Sequence, residues 1–311
     1  MNAMKIVTMI CWIITAVVLT GIALWFFTGD IFGDWSFIEN LTGPFETDGT
    51  YSVIADGIDS ININWVSGEV TVIPHDGDDI KIIEYAQRKL SDNEKLRYTV
   101  SGSTLEIRFR DRGFSGRMPR KRLEVFVPRE LSENMTLLSV NSTSGSIRVE
   151  DFETASLNLS SVSGAISISG IVSPRIDLGT TSGAVNAASV RAGRLDAGTV
   201  SGAIAITDSL ISSVNLSTTS GSSSASGDFD KVDVSTVSGG TTIRSSTVPS
   251  RLGVSSVSGG ASVYIPNQGA ITVSHSAVSG RFSSEVPVTM QSGAAFNFSS
   301  VSGSTNIYAL G

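Results

Sequence analysis

A serine-glycine pair preceded by valine or threonine occurs nine times from residue 143 onward in this 311-residue chain, at a nearly constant spacing. Successive pairs are separated by 19, 19, 19, 19, 18, 20, 21 and 23 residues. Self-similarity at such a period is the signature of a solenoid, in which each repeat stacks on its neighbours. A catalytic serine is needed only once, so the repetition indicates a structural element. The serines are Ser144, Ser163, Ser182, Ser201, Ser220, Ser238, Ser258, Ser279 and Ser302.

Apolar residues keep fixed positions around each repeated glycine. Leu157 and Leu159 precede Gly164, and Ile166 and Ile168 follow it. This alternation is typical of β-strands with one buried face, and its parity changes at the glycine, which predicts a tight corner there. We expect the corner to use a positive φ, which glycine adopts without steric cost. The predicted corner glycines are Gly68, Gly145, Gly164, Gly183, Gly202, Gly221, Gly239, Gly259, Gly280 and Gly303.

A serine or threonine stands three residues before most corner glycines. Ser161 and Ser163 share the parity of Leu157 and Leu159, so both are expected to point inward. Buried hydroxyls need hydrogen-bond partners, which hydroxyls and backbone groups of the neighbouring rung would supply. The equivalents of Ser161 are Ser142, Thr180, Thr199, Thr218, Thr236, Ser256 and Ser300.

The predicted fold is all-β, a narrow parallel β-solenoid with two strands in each rung of about 19 residues. Residues 137–311 hold the repeats. Residues 51–136 are more highly charged and contain one earlier repeat copy, so we expect them to cap the N-terminal end with β-hairpins, because exposed strand edges invite aggregation. Residues 28–50 contain Gly-Pro and Asp-Gly pairs and are predicted to be a linker.

The chain begins with an apolar run typical of a transmembrane helix. Residues 6–27 carry no charge, and a helix of this length would span about 33 Å, enough to cross a bilayer. Lys5 precedes the run and Asp30 follows it, which places residues 1–5 in the cytoplasm and the β-domain outside. We therefore predict a single-pass signal anchor in the cell membrane. A signal peptide cleaved near residues 21–23 is the alternative.

The sequence contains no motif of a known catalytic or metal centre. His75 and His275 have no carboxylate at a motif spacing, and GxSxG, HExxH and CxxC are missing. The acidic turn at residues 76–79 fits a hairpin better than a calcium loop. A net charge of −7 gives no electrostatic basis for binding nucleic acid. The expectation is a non-enzymatic protein without cofactor, metal or nucleic-acid partner.

One segment is strongly basic in this otherwise acidic chain. Between residues 108 and 122 only Asp111 offsets the basic side chains. Because the segment precedes the repeats, it would lie near the membrane. We therefore predict that its basic side chains contact anionic lipid or an anionic envelope polymer. A solvated hairpin loop is the alternative. The candidate residues are Arg108, Arg110, Arg112, Arg117, Arg120, Lys121 and Arg122.

The Val/Thr-Ser-Gly corners behind an N-terminal anchor resemble the bacterial "putative adhesin" family of β-strand-repeat surface domains of unknown function, which includes LiaG-like envelope proteins. The resemblance covers residues 51–311, including the "VFVP" strand at Val125–Pro128. It implies a non-catalytic surface protein that binds an envelope polymer, anionic lipid or a membrane signalling protein. One alternative is a self-assembling scaffold similar to bactofilins. The other is a polysaccharide-active β-helix enzyme, and the sparse charges of residues 152–311 argue against this enzyme.

Overall fold

The computed structural model describes residues 45–110, 119–290 and 293–310, which form a β-structure with one short helix, α1 (Arg129–Ser132). Before α1 the strands are β1 (Glu46–Ile54), β2 (Ser60–Trp65), β3 (Val70–His75), β4 (Asp79–Ala86), β5 (Arg97–Ser101), β6 (Thr104–Arg108) and β7 (Lys121–Pro128). After it come β8 (Met135–Ser142), β9 (Ile147–Glu150), β10 (Thr154–Ser161), β11 (Ile166–Ser169), β12 (Val172–Thr180), β13 (Val185–Ala188), β14 (Arg191–Thr199) and β15 (Ile204–Thr218). The remaining strands are β16 (Ser223–Ser238), β17 (Thr241–Ser245), β18 (Arg251–Ser258), β19 (Ala261–Pro266), β20 (Thr272–Ser279), β21 (Phe282–Ser284), β22 (Ala295–Ser302) and β23 (Thr305–Leu310).

The predicted transmembrane anchor at residues 6–27 lies outside the described residues. Across the described ranges no helix has the length and hydropathy that a bilayer crossing needs. The predicted linker at residues 28–50 is described only at its end, where β1 already begins at Glu46.

The strands stack in parallel and in register, which confirms the β-solenoid. β10 pairs with β8 on one side and β12 on the other, while β11 lies between β9 and β13. In the regular section the paired residues are one repeat apart, as in Leu159 beside Leu178. The strands that stack with β10 form the first sheet, and those that stack with β11 form the second sheet. Each rung is therefore one strand of the first sheet, a Ser-Gly corner and one strand of the second sheet.

At both ends of the stack, the order of the rungs in space differs from their order in the sequence. The rung formed by β2 and β3 lies between β6–β7 and β8–β9. At the other end, β22–β23 pairs with β18–β19, and β20–β21 stacks outside it. Only the longer steps between the last serines reflect this exchange in the sequence.

Antiparallel strands cover the N-terminal end of the stack. β4 pairs with β7, β1 pairs with β4, and β5 pairs with β6, all antiparallel. Gly102, with a φ of 58°, forms the β5–β6 turn, so the Ser-Gly pair there is a hairpin and not a rung corner.

The predicted inward residues form the core. Leu157, Leu159, Ile166 and Ile168 are each at most 3% exposed, and the equivalent residues of other rungs are buried as well. Burial of each such side chain contributes roughly 1.5–3 kcal/mol relative to exposure. A further buried position, which the repeat pattern did not predict, lies at the second corner of the rung and is occupied by Phe152, Ile171 and Val190.

The Ser-Gly corners from Gly145 to Gly221, the regular corners, require glycine for space, and the predicted positive φ was wrong for them, whereas Gly68 adopts it with a φ of 87°. The corners from Gly239 to Gly303 also have positive φ angles, between 151° and 159°. Gly183 has no positive φ, but a Cβ there would lie 2.0 Å from the carbonyl oxygen of Gly164. Gly164 and Gly202 approach the preceding corner in the same way. In the regular rungs the left-handed conformation occurs at the opposite corner, where residues one repeat apart adopt it: Asp151, Gly170, Ser189 and Asp208.

The hydroxyl three residues before each of four successive corner glycines, from Gly164 to Gly221, joins two rungs. Thr180 Oγ1 accepts from the Gly183 amide at 3.1 Å and donates to the Gly164 carbonyl at 3.0 Å. Ser161, Thr199 and Thr218 make the same pair of bonds. The predicted buried hydroxyls are therefore confirmed for this part of the stack, with backbone groups as their partners.

Ser163 does not point inward as expected. It is exposed, whereas Ser161 and Gly164 on either side of the corner are buried. The chain has already begun to turn after Ser161, so the strand parity no longer applies at Ser163.

Candidate functional site

The basic segment does not form one exposed patch. Lys121 was expected at the surface, but its side chain is 0% exposed. Its strand position is the reason: Lys121 has the inward parity of Leu123 and Val125 on β7, and its carbonyl lies beside Gly68 at the first corner. The predicted contact of Lys121 with an external surface is therefore wrong.

The other basic residues have different surroundings. Arg108 forms an ion pair with Glu106 at 2.6 Å, and the Arg122 guanidinium lies over the ring of Tyr85 at 4.3 Å. Burial lowers the pKa of Arg110, while Arg120 is exposed. Arg112 and Arg117 lie outside the described residues.

Lys121 and Glu84 form a fully buried ion pair beneath the N-terminal cap. Lys121 Nζ lies 2.7 Å from Glu84 Oε1 and also donates to the carbonyls of Glu94 and Phe109. Glu84 accepts a hydrogen bond from the Leu96 amide at 3.0 Å. Burial raises the pKa of Glu84 and lowers that of Lys121, while their mutual attraction opposes both shifts. The pair ties β4 and β7 to the loop before β5, which is a structural role.

The sequence contains a signal for this pair that lies outside the repeat pattern and was not predicted. Glu84 follows Ile80 and Ile82 at alternate positions of β4, so it belongs to the buried face of that strand. A carboxylate and an amine at inward positions of two strands indicate a buried partner for each.

The outward face of the first sheet carries a long polar groove, which we call the axial groove. It has a volume of about 1020 Å³ and runs across nine paired strands, from β8 to β20. Eight steps of about 4.8 Å give it a length of about 38 Å. Because the rungs repeat in register, equivalent outward residues form columns along the groove.

Three columns of outward residues line the axial groove. The column nearest the Ser-Gly corners contains small residues: Ser160, Gly179, Gly198, Ser217, Ser235 and Ser255. The middle column contains amides and carboxylates: Asn158, Asp177, Asp196, Asn215, Asp233 and Asn297. The third column carries basic residues on four of the strands, of which Arg194 and Arg251 reach the groove, while Arg175 and Lys231 hold the same register outside its lining.

Gly179 and Gly198 leave room in the groove. A Cβ on Gly179 would meet no atom within 4 Å, and neither glycine has a positive φ. The backbone therefore does not require glycine at position 179, in contrast to the corner at Gly183. The small column keeps the groove open along its length.

The charges of the groove are already paired. Arg175 forms two hydrogen bonds with the Asp177 carboxylate, the shorter at 2.7 Å, and Arg194 does the same with Asp196 at 2.6 Å. Asn215 Nδ2 donates to Asp196 at 2.8 Å. The groove thus offers many hydrogen-bond donors and acceptors without a concentration of one charge.

The histidines lie apart from the axial groove lining. His75 closes the turn after β3: its Nδ1 accepts from the Gly77 amide at 3.2 Å, and its Nε2 lies 2.8 Å from the Asp79 carbonyl. His275 lies on β20 and packs against Phe282. Throughout the described ranges, no group of three His, Cys, Asp or Glu side chains is placed to hold a metal ion.

Three solved structures are similar to this chain, and the first of them supports the same fold. A protein described as a putative adhesin from Parabacteroides distasonis is 11% identical, covers 85% of this chain and 98% of its own, and has a TM-score of 0.54. A putative adhesin from Bacteroides fragilis is 13% identical over 85% of this chain and 97% of its own, with a TM-score of 0.48. A putative lipid binding protein from Parabacteroides distasonis is 16% identical over 86% and 97%, with a TM-score of 0.44.

The family comparison spans all the repeated corners. No curated protein sequence matches the chain significantly. Residues 58–306, however, match the model of the family described as Toastrack DUF4097, a range that includes every Ser-Gly corner from Gly145 to Gly303. Together with the fold shared with the Parabacteroides distasonis protein described as a putative adhesin, this confirms the resemblance drawn from the repeats. The chain belongs to the Toastrack DUF4097 family.

Proposed function

We propose that this chain is a non-catalytic, membrane-anchored surface protein whose axial groove binds a linear, uncharged glycan of the cell envelope. The supporting observation is the repetition of one polar site along about 38 Å of the first sheet. A site that repeats along an axis suits a ligand that also repeats along an axis. A small molecule would use only one or two rungs of it.

The side chains of the groove favour a hydroxyl-rich ligand. Serine hydroxyls and asparagine amides both donate and accept hydrogen bonds, as sugar hydroxyls do. Since Arg175 and Arg194 already pair with Asp177 and Asp196, a strongly charged polymer would gain little net attraction. The many weak contacts would add along the polymer.

The carboxylates of the groove support a binding role over hydrolysis. In Asp177 and Asp196 both oxygens accept hydrogen bonds from one arginine. Glycosidases need one carboxyl group that hands over a proton and a second that activates water or attacks the sugar. Asp233, the third carboxylate of the groove, lies 3.7 Å from the Arg251 guanidinium, so each of the three has an arginine partner and none is free for these tasks.

Filling the groove should abolish binding without harming the fold. Gly179→Tyr adds a ring where a Cβ meets no atom within 4 Å, and aromatic residues favour strands. We expect at least a tenfold loss of affinity for soluble N-acetylglucosamine oligomers in calorimetric titration, since losing two hydrogen bonds of about 1 kcal/mol each exceeds the 1.4 kcal/mol that a factor of ten requires.

The matched control is Asn186→Tyr, which adds the same ring to an exposed position on the second sheet. It should bind like the wild type, and both variants should keep the wild-type melting temperature. Equal binding by the two variants, or no binding by the wild type, would reject the groove as the glycan site.

The membrane anchor at residues 6–27, with the β-solenoid outside, is part of this proposal. Cys11 is the only cysteine, so a Cys11→Ser, Ser182→Cys variant carries one thiol, at an exposed corner. A membrane-impermeant maleimide should label it in intact cells. Labelling only after lysis would reverse the orientation.

Contact with an anionic surface stays a prediction for the basic residues other than Lys121. The exposed Arg120 and its sequence neighbour Arg117 are the residues to change to serine. Their replacement should weaken co-sedimentation with anionic vesicles at low salt, and high salt should abolish the difference.

A further inference from the structure

The C-terminal end of the stack is open. β20 pairs with β22 on one side. On its other side, within the described ranges, a short segment bridges Val288 to Ile271, and no strand lies beside residues 273–279. β21 likewise pairs only with β23 among the described strands.

The last core layer is also incompletely covered. Val273, His275 and Phe282 occupy inward positions that are nearly fully buried in the interior rungs, but here they are only half-buried. His275 Nε2 is shielded from solvent and has no hydrogen-bond partner among the described residues. The end therefore offers an apolar layer beside free backbone donors and acceptors, as an unfinished rung would.

The two ends of the stack are not equivalent. At the N-terminal end, β4 and β1 cover β7, and β5 covers β6, all in antiparallel pairs. Head-to-tail stacking would have to displace these strands. Two C-terminal ends, by contrast, can meet without any rearrangement.

We propose that a second copy of this chain covers the open end, related by a two-fold axis, with β20 antiparallel to the partner's β20. A two-fold axis perpendicular to the sheet at a strand edge makes an antiparallel pair, in which opposite residues point to the same face. The inward layer containing Val273 and Ala277 then meets the same layer of the partner. Because a two-fold contact is closed, the product is a dimer and not a filament. The two axial grooves would continue one another across the contact.

The edge can be blocked without touching the ladder inside the chain. The Thr272 amide points towards β22 and donates to the Ala294 carbonyl. The Ile271 amide points to the other side, away from β22, and donates to the Pro287 carbonyl. Since amides alternate along a strand, Ala277 points its N–H outward. Ala277→Pro removes that donor only, and proline is tolerated on edge strands. Val273→Lys places a charge that solvent can reach in a monomer but not in the dimer.

Native mass spectrometry of the full chain, released from mild detergent, tests the proposal. The wild type should be a dimer, and Ala277→Pro and Val273→Lys should each weaken dimerisation at least tenfold. The control Leu210→Lys, at a residue 51% exposed in the middle of the stack, should remain a dimer. The proposal would be overturned by a monomeric wild type, by an open-ended series of oligomers, or by a dimer that persists in Val273→Lys. The result for Val273→Lys decides even if Ala277→Pro misfolds.

Discussion

Gly183→Val is expected to lower the free energy of unfolding by at least about 3 kcal/mol, because the added Cβ meets backbone. That atom would lie 2.0 Å from the Gly164 carbonyl oxygen and 2.5 Å from its carbonyl carbon. The neighbouring corners on both sides hold these groups in place, so the clash cannot be relieved by a rotating side chain. Denaturant unfolding followed by circular dichroism measures the loss.

Gly179→Val is the matched control for this prediction. It lies four residues earlier in the same rung, where a Cβ meets no atom within 4 Å. We expect a change within about 0.5 kcal/mol, or a slight gain, since β-branched residues suit strands. Equal losses at both positions would show that the corner has no special need for glycine.

Lys121→Met should cost about 3–5 kcal/mol, the range for removing one member of a buried ion pair. The change leaves the Glu84 carboxylate buried without its cation, and the carbonyls of Glu94 and Phe109 lose their donor. Arg120→Met, at an exposed site in the same segment, should stay within about 0.5 kcal/mol. Adding Glu84→Gln to Lys121→Met should restore part of the loss, because it removes the uncompensated charge.

The loss in Lys121→Met should depend on pH in a definite direction. Burial raises the pKa of Glu84 above its ordinary value of 4.5, so the folded variant favours the protonated acid. Its stability is then greatest below that ordinary value and declines as the pH rises through the raised pKa. The difference from the wild type should therefore be larger at pH 7 than at pH 4. A difference that shrinks as the pH rises would contradict the burial of Glu84.

The rung itself could be predicted from the sequence because its determinants are local. The alternation around Gly164 and the hydroxyl at Ser161 specify two strands, a corner and one buried face. The reason for glycine could not be found in this way. It depends on how closely Gly183 approaches Gly164, a contact between rungs that no single repeat contains.

Long-range placement explains the other differences. The exchange of β20–β21 with β22–β23 leaves each rung's pattern unchanged, so the longer steps between the last serines indicate an irregularity there but not the order of the rungs. Lys121 looked like one more basic residue of its segment, although its inward parity on β7 is a signal of burial. Its partner Glu84 can be identified only from the pairing of β4 with β7. The outward columns of the axial groove were present in the sequence as residues one repeat apart. Their meeting in one groove follows from the in-register stack.

The dependence of affinity on ligand length tests the axial groove most directly. Calorimetric titration of the wild type with N-acetylglucosamine oligomers of increasing length should show affinity rising with each added sugar, until the oligomer spans about 38 Å or more. Gly179→Tyr should lower this rise, while Asn186→Tyr should follow the wild type. An affinity already complete with a disaccharide would instead show a local small-molecule site and contradict a groove built for a linear glycan.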